Sequence, residues 1–332
     1  EELDLRKNIK HSNFMFCSAG HVLHENMQLG NTILEVTNAS TMEMERMKKE
    51  GMKSLIMHEV GHTLGLNHNM KASQVYSPDQ LSNADFIKGK ALTGSVMDYA
   101  GINLTNDRSK QGQYYDMSVG PYDVWAIQFG YTPFNGKNER IALVERSTEP
   151  ELIFGNDADD MRYPGTGLDP RVNIYDLSSD SIGYAASQMA LMQTTLNKMA
   201  SWTPDTGRSY QEAVDGASLI IRLWSINAGV ISRWIGGVYV DRAMAGQDGG
   251  GEPLIPVERA QQKRAMAMLS EHLFAPEAFS VNGQLWQLTA PERRGFDHGG
   301  STEDPKIHQA VLAGQKRVLD HLMHPVVLER IV

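Results

Sequence analysis

The chain has 332 residues, 41% of them apolar, enough for one large domain or two ordinary ones with a substantial core. Its net charge of −9 argues against nucleic acid as a partner, since phosphate binding wants clustered Lys and Arg. The single cysteine, Cys17, excludes an internal disulfide framework but leaves the compartment open, because bacterial periplasmic, surface and cytosolic proteins can all lack disulfides.

The chain starts at Glu1 with no initiator Met, basic n-region or apolar h-region, so the expectation is a processed or excised piece without a signal peptide. Residues 13–18 and 31–36 have the apolar and β-branched content of short strands, punctuated by Gly20, Gly30 and Asn31. Residues 41–67 read as one helix or two abutting ones. Ser40 and Glu43 form a capping-box pair, and Met44, Met47, Leu55, Ile56, Val60 and Leu64 recur at helical spacing. Gly51 marks an expected break. Residues 69–120 are loop-rich, and Pro121 to Gly130 reads as a helix with Pro at its first position.

Residues 136–180 read as irregular, with an acidic Gly/Pro-rich patch at 155–170. Helices are expected near 181–202, 208–234, 256–273 and 304–324, with Pro325 stopping the last. The apolar stretch 218–240 contains Arg222 and Arg233, which speaks against a membrane span; it reads as a buried helix, a turn at Gly236-Gly237 and a short strand. The fold class is therefore mainly α (α+β). The composition shift near residue 135 divides the chain into 1–135 and a helix-rich part, 136–332, of unassigned role.

Residues 58–68 read His-Glu-Val-Gly-His-Thr-Leu-Gly-Leu-Asn-His. His58 and His62 are four apart, so on a helix they sit on one face, one turn apart, and can reach a single ion. Glu59 can lean toward the open side of that ion without binding it. Three residues past His62, Gly65 can take the positive φ that ends a helix sharply and swings His68 back as a third ligand. Three neutral imidazoles leave the fourth position of Zn²⁺ for water, as in a catalytic site. Two histidines at this spacing occur by chance on ordinary helices; Gly65 and His68 in register make that reading remote.

This pattern resembles the metzincin clan of zinc metallopeptidases. Residues 95–99 read Ser-Val-Met-Asp-Tyr, and Met97 matches the methionine of the clan's tight turn beneath the zinc histidines, with Tyr99 matching a tyrosine that follows it in some members. Residues 120–131 resemble the helix that closes a metzincin catalytic domain, and the finer texture is similar to large bacterial zinc-dependent proteases. The resemblance spans roughly 40–135. It implies a polypeptide substrate, one catalytic Zn²⁺, Glu59 as general base and Tyr99 as a weak extra ligand or hydrogen-bond donor to the oxyanion. Met97 would floor the site without binding metal. Tyr99 has the alternative of packing in the core, and Asp98 reads as a turn residue; Asn67 and Asn69 would stabilise the bend at His68.

A metzincin catalytic domain starts with a twisted sheet and a backing helix, and about 40 residues are too few for them. The chain is therefore expected to be the C-terminal portion of a longer protein, with its N-terminal sheet truncated, and by itself to keep its metal ligands but not efficient peptidase activity. Exposed apolar surface should remain where that part would pack, and with it the option of a homodimer. A periplasmic, extracellular or cell-surface location is the corresponding expectation. The alternative to a zinc endopeptidase is a zinc-retaining, non-catalytic peptide- or protein-binding module; a hydrolase of non-peptide amides is a third reading.

Other clusters carry less. Asn156, Asp157, Asp159 and Asp160, with Asp169, Asp176 and Asp180 nearby, offer oxygen donors for Ca²⁺ but do not match the twelve-residue calcium loop. His21, His24 and Glu25 read as scattered polar residues rather than a second metal site. His272, His298, His308, His321 and His324 are assigned no chemistry, and Glu292, Arg293 and Arg294 read as a charged turn.

Overall fold

In the computed structural model, which describes residues 17–159, 164–202, 206–280, 283–290 and 304–331, residues 31–36 belong to a helix and not to a strand. This helix, α1 (Ala19–Val36), buries Val22, Glu25, Asn26, Leu29, Gly30, Ile33 and Leu34. Those positions recur every three or four residues, so the helical period outweighs the β-branched content of the short run. Of the other expected strand, residues 13–16 lie outside the described residues, and Cys17 and Ser18 lead into α1.

Helix α2 (Thr41–Thr63) is continuous. Ser40 caps it, its hydroxyl accepting from the Glu43 N–H at 3.2 Å. Gly51 does not break it; a Cβ there would sit 3.1 Å from both Leu23 and Tyr115, so the glycine is a close-approach point against α1 and the 110s loop. The helix stops at Thr63, short of residue 67.

Residues 69–120 are largely loop, with two single-turn helices, α3 (Pro78–Leu81) and α4 (Ala84–Ile87), and α5 (Pro121–Tyr131) follows with Pro121 at its first position. The expectation of irregular structure over 136–180 misses α6 (Lys137–Glu145). That helix buries none of its residues, so it has no core period to read.

The C-terminal part holds α7 (Ser181–Met199), α8 (Gln211–Ser232), α9 (Arg259–Leu269), α10 (Gln284–Leu288), α11 (Ile307–Leu322) and α12 (Pro325–Arg330). Between α8 and α9, β1 (Val238–Val240) pairs antiparallel with β2 (Leu254–Pro256), Val238 opposite Pro256; this is the only sheet among the described residues. The protein is mainly α. Pro325 ends α11 as expected and starts α12.

Helix α8 is the hub: α7, α9, α11 and α1 all pack on it. Trp224, Met189, Met192, Leu196, Ile220 and Ile231 are fully buried there, so the Met and aromatic content of this stretch is core. The same apolar cluster takes in Leu29 and Ile33 of α1 and Tyr99, Ile102 and Tyr114. By length and composition α8 could cross a membrane, but 61% of its apolar window is buried within the protein.

Candidate metal centre

His58 and His62 lie on the last two turns of α2, and the way the helix ends decides where His68 goes. Gly65 has φ +88°, the left-handed conformation expected of it. Its N–H donates to His62 O at 3.0 Å, and the Leu66 N–H donates to Gly61 O at 3.0 Å. This pair of bonds is a Schellman cap, which satisfies the last carbonyls and turns the chain back. The rings of His58, His62 and His68 then lie 4.7–5.3 Å apart, centre to centre, and His62 Nε2 is 3.1 Å from His68 Nε2.

Each imidazole is pinned through its other nitrogen. His58 Nδ1 pairs with Val96 O at 2.8 Å, His62 Nδ1 with Leu66 O at 3.0 Å and His68 Nδ1 with Asp157 Oδ2 at 2.7 Å. All three partners are acceptors, so each Nδ1 carries the proton and donates it. Every Nε2 lone pair is thereby left facing the common centre, the second-layer pattern of metal-binding histidines. Burial pushes the His58 pKa down to about 4, with help from His62 and His68, so this ring is neutral, as a ligand must be.

The floor of the site is built from the segment 95–99. Met97 is fully buried, and its Sδ lies where a Cβ on Gly61 would come within 2.3 Å of it. Gly61 sits between the two helix histidines, so only a glycine lets the thioether press against α2 at this level. The segment is clamped from α5: Asp123 accepts from Ser95 Oγ at 2.5 Å, from Val96 N at 2.9 Å and from Gly120 N at 2.8 Å. A Cβ on Gly120 would meet Gly94 O at 2.1 Å. The Gly120-Pro121-Tyr122-Asp123 lead-in is thus a fastener for the loop under the histidines.

Asn69 extends the same network. It donates through its N–H to Met97 O at 3.0 Å and through Nδ2 to Ile153 O at 2.9 Å, and accepts from Gly155 N at 3.1 Å. Asn67 is exposed. Asp98 accepts from Ser73 N at 2.7 Å, a bond to a residue 25 positions away and not one within its own turn.

Tyr99 has a buried ring, yet its hydroxyl reaches the site, 3.1 Å from His68 Nε2 and 2.8 Å from the Ser18 N–H that it accepts from. Burial, with the Cys17 thiol beside it, raises its pKa well above the ordinary tyrosine range, so the hydroxyl keeps its proton. Glu59 is exposed on the rim. The residue that the motif did not announce is Cys17: its Sγ lies 3.3 Å from His58 Nε2, 3.3 Å from the Tyr99 hydroxyl and 3.6 Å from Glu59 Oε1. The donor atoms of Cys17, His58, His62 and His68 all lie within 4.8 Å of one another.

These donors are of the types that zinc takes, and they span up to 4.8 Å. With metal–nitrogen bonds of about 2.0 Å and metal–sulfur bonds of about 2.3 Å, ligand atoms stand roughly 3.3–3.6 Å apart. The 3.1 Å and 3.3 Å separations are close to such edges.

The other clusters are dispersed. Asp157 serves His68, Asp159 pairs with Arg242, Asp169 with Lys71 and Arg171 at 2.8 Å each, and Asp180 with Arg264 at 2.6 Å. Asp176 accepts from Ser73 Oγ at 3.3 Å, and Asp160 lies outside the described residues. His21 pairs with Glu25 at 3.2 Å, while His24 is exposed. His321 ends α11 and is buried, His324 caps α12, and His298 and residues 292–294 lie outside the described residues.

The family described as Met-zincin matches residues 40–332, a segment that contains all three histidines and begins after Cys17. No curated protein and no solved structure matches the chain.

Proposed function

The chain belongs to the Met-zincin family, and from that premise we propose that it is a zinc-dependent endopeptidase. The observation that supports this most is the set of three imidazoles with their Nδ1 protons tied down and their Nε2 lone pairs convergent. His58, His62 and His68 would hold the ion, on the helix α2 and the turn after it. When bound, zinc supplies Lewis acidity toward water and toward the scissile carbonyl.

Glu59, one residue past His58 and on the rim, takes the proton of the attacking water and returns it to the leaving amine. The Tyr99 hydroxyl, kept protonated by burial, donates to the oxyanion that develops at the carbonyl. Met97 packs against Gly61 and holds the two helix histidines from below. Asp157 orients His68. The substrate on this reading is a polypeptide, met in the periplasm, outside the cell or at the cell surface. On this reading residues 1–135 carry the ligands, the base and Tyr99, and 136–332, a helix-rich part of unassigned role, adds Asp157 behind His68.

Metal analysis of protein purified without chelator, with a quenched-peptide assay on the wild type and on Glu59→Gln, tests the reading. We expect one zinc per chain in both proteins and a loss of about 10²–10⁴-fold in rate for the variant. Equal rates would remove Glu59 from the mechanism. Zinc without hydrolysis in the wild type would favour the non-catalytic binding module.

A further inference from the structure

Three histidines leave one corner of a tetrahedral ion open, and in this structure the Cys17 sulfur lies within 4.8 Å of the donor nitrogens of all three. The thiol is on the exposed side of the centre, level with Glu59, and not in the apolar core. Its separation from His58 Nε2, 3.3 Å, is close to that of two atoms bound to one metal. The Ser18 N–H bond to the Tyr99 hydroxyl anchors the neighbouring backbone, so the position of Cys17 follows from the start of α1.

We propose that Cys17 is the fourth ligand of the resting centre, giving a three-histidine, one-thiolate site in which sulfur occupies the place of the nucleophilic water. The ligand assignment rests on geometry alone. Its consequence, that hydrolysis waits until the thiolate leaves, rests on the peptidase reading. On closure the S–H bond would break, a metal–sulfur bond would form, and the proton would be released to solvent. On opening, the sulfur takes a proton back from solvent. No oxidation is involved. One residue thus controls the open coordination position.

Cobalt(II) in place of zinc in the full chain tests the assignment. We expect one cobalt per chain and a sulfur-to-cobalt charge-transfer band in the near ultraviolet, which imidazole and water do not produce. Cys17→Ser should keep the cobalt and lose the band. Zinc should also slow the reaction of Cys17 with an aromatic disulfide by at least about tenfold relative to chelated protein. Cobalt bound without the band, or thiol reactivity indifferent to zinc, would overturn the fourth ligand and leave the three-histidine site standing. Failure of the wild type to bind cobalt would overturn both.

For the consequence, Cys17→Ser loaded with one zinc should cleave a quenched peptide at least about tenfold faster than wild type. Equal rates would overturn the gating. Absence of hydrolysis in both, with the band present, would sink the peptidase reading while the ligand assignment holds.

Discussion

Helices α2 and α8 have nearly the same length, 23 and 22 residues, and are held in the protein by opposite means. Helix α8 buries twelve of its residues and is gripped by non-directional apolar packing on several sides. Helix α2 buries five and is tied along one face by directional bonds. Glu43 pairs with Arg108 and accepts from the Tyr114 hydroxyl at 2.7 Å, Glu50 accepts from Tyr114 N at 2.5 Å, and Lys53 donates to Met117 O at 2.7 Å. Further along, the histidines take over the same task. Its opposite face is left in solvent, with Met52, Ile56, Val60 and Leu64 all more than 40% exposed at four-residue intervals. Packing gives α8 stability; hydrogen bonds give α2 the angular precision that three ligand nitrogens need.

The contrast can be broken by substitution, and the largest effect is expected in α8. Trp224 is 1% exposed and packs edge-to-face on Phe279, so Trp224→Ala should cost about 3–5 kcal/mol, read from denaturant midpoints. A similar loss from a single side-chain truncation on the exposed face of α2 would erase the distinction.

Next comes pH. Burial, with Arg233, Arg330 and His324 nearby, lowers the His321 pKa to about 4. A depressed histidine is neutral in the folded state while the unfolded chain takes up its proton near pH 6.5. Its contribution, about 3 kcal/mol at most, is present above pH 6.5 and is lost as the pH falls toward 4. His321→Gln should therefore flatten the fall in unfolding free energy between pH 6.5 and 4; an unchanged slope would show that other groups carry it.

Gly61→Ala sharpens the comparison on the α2 side. The added methyl must displace the buried Met97 sulfur, an overpacking cost of about 1–3 kcal/mol, against about 1 kcal/mol regained from helix propensity. The more telling readout is metal retention against a competing chelator, which should weaken, because the shift falls between His58 and His62. Unchanged retention would mean that Met97 does not set the spacing of the histidines.

The smallest effect is expected from Ile56→Ser with Val60→Ser, within about 0.5 kcal/mol in stability, since neither side chain leaves a core. The same pair tests whether the exposed row mediates self-association: light scattering at increasing concentration should give a smaller weight-average mass for the variant if wild-type copies dimerise through it.

Much of the candidate centre was legible because its parts are close together in the chain. Two histidines at helical spacing, a glycine that must take positive φ and a third histidine three residues on are a local geometric instruction, and Gly65 obeys it. The long C-terminal helices were legible for the same reason: their apolar positions repeat with a short period. Where local content and period disagreed, over 31–36, content misled, because burial against α2 and α8 rewards the helical face. Helix α6 was missed because it buries nothing.

The amino-acid sequence by itself determined the three-histidine motif, the way its helix ends and the methionine-bearing loop to be placed beneath it. Only the tertiary structure decided which groups complete the centre. Cys17 reaches His58 across 41 residues of chain, Asp157 reaches His68 across 89, and Met97 meets Gly61. No periodicity connects such positions. They meet because α1, the loop after α5 and α6, and the 95–99 segment are each held on α2 by their own packing and hydrogen bonds, and a contact made by two independently placed elements leaves no signature in either one alone.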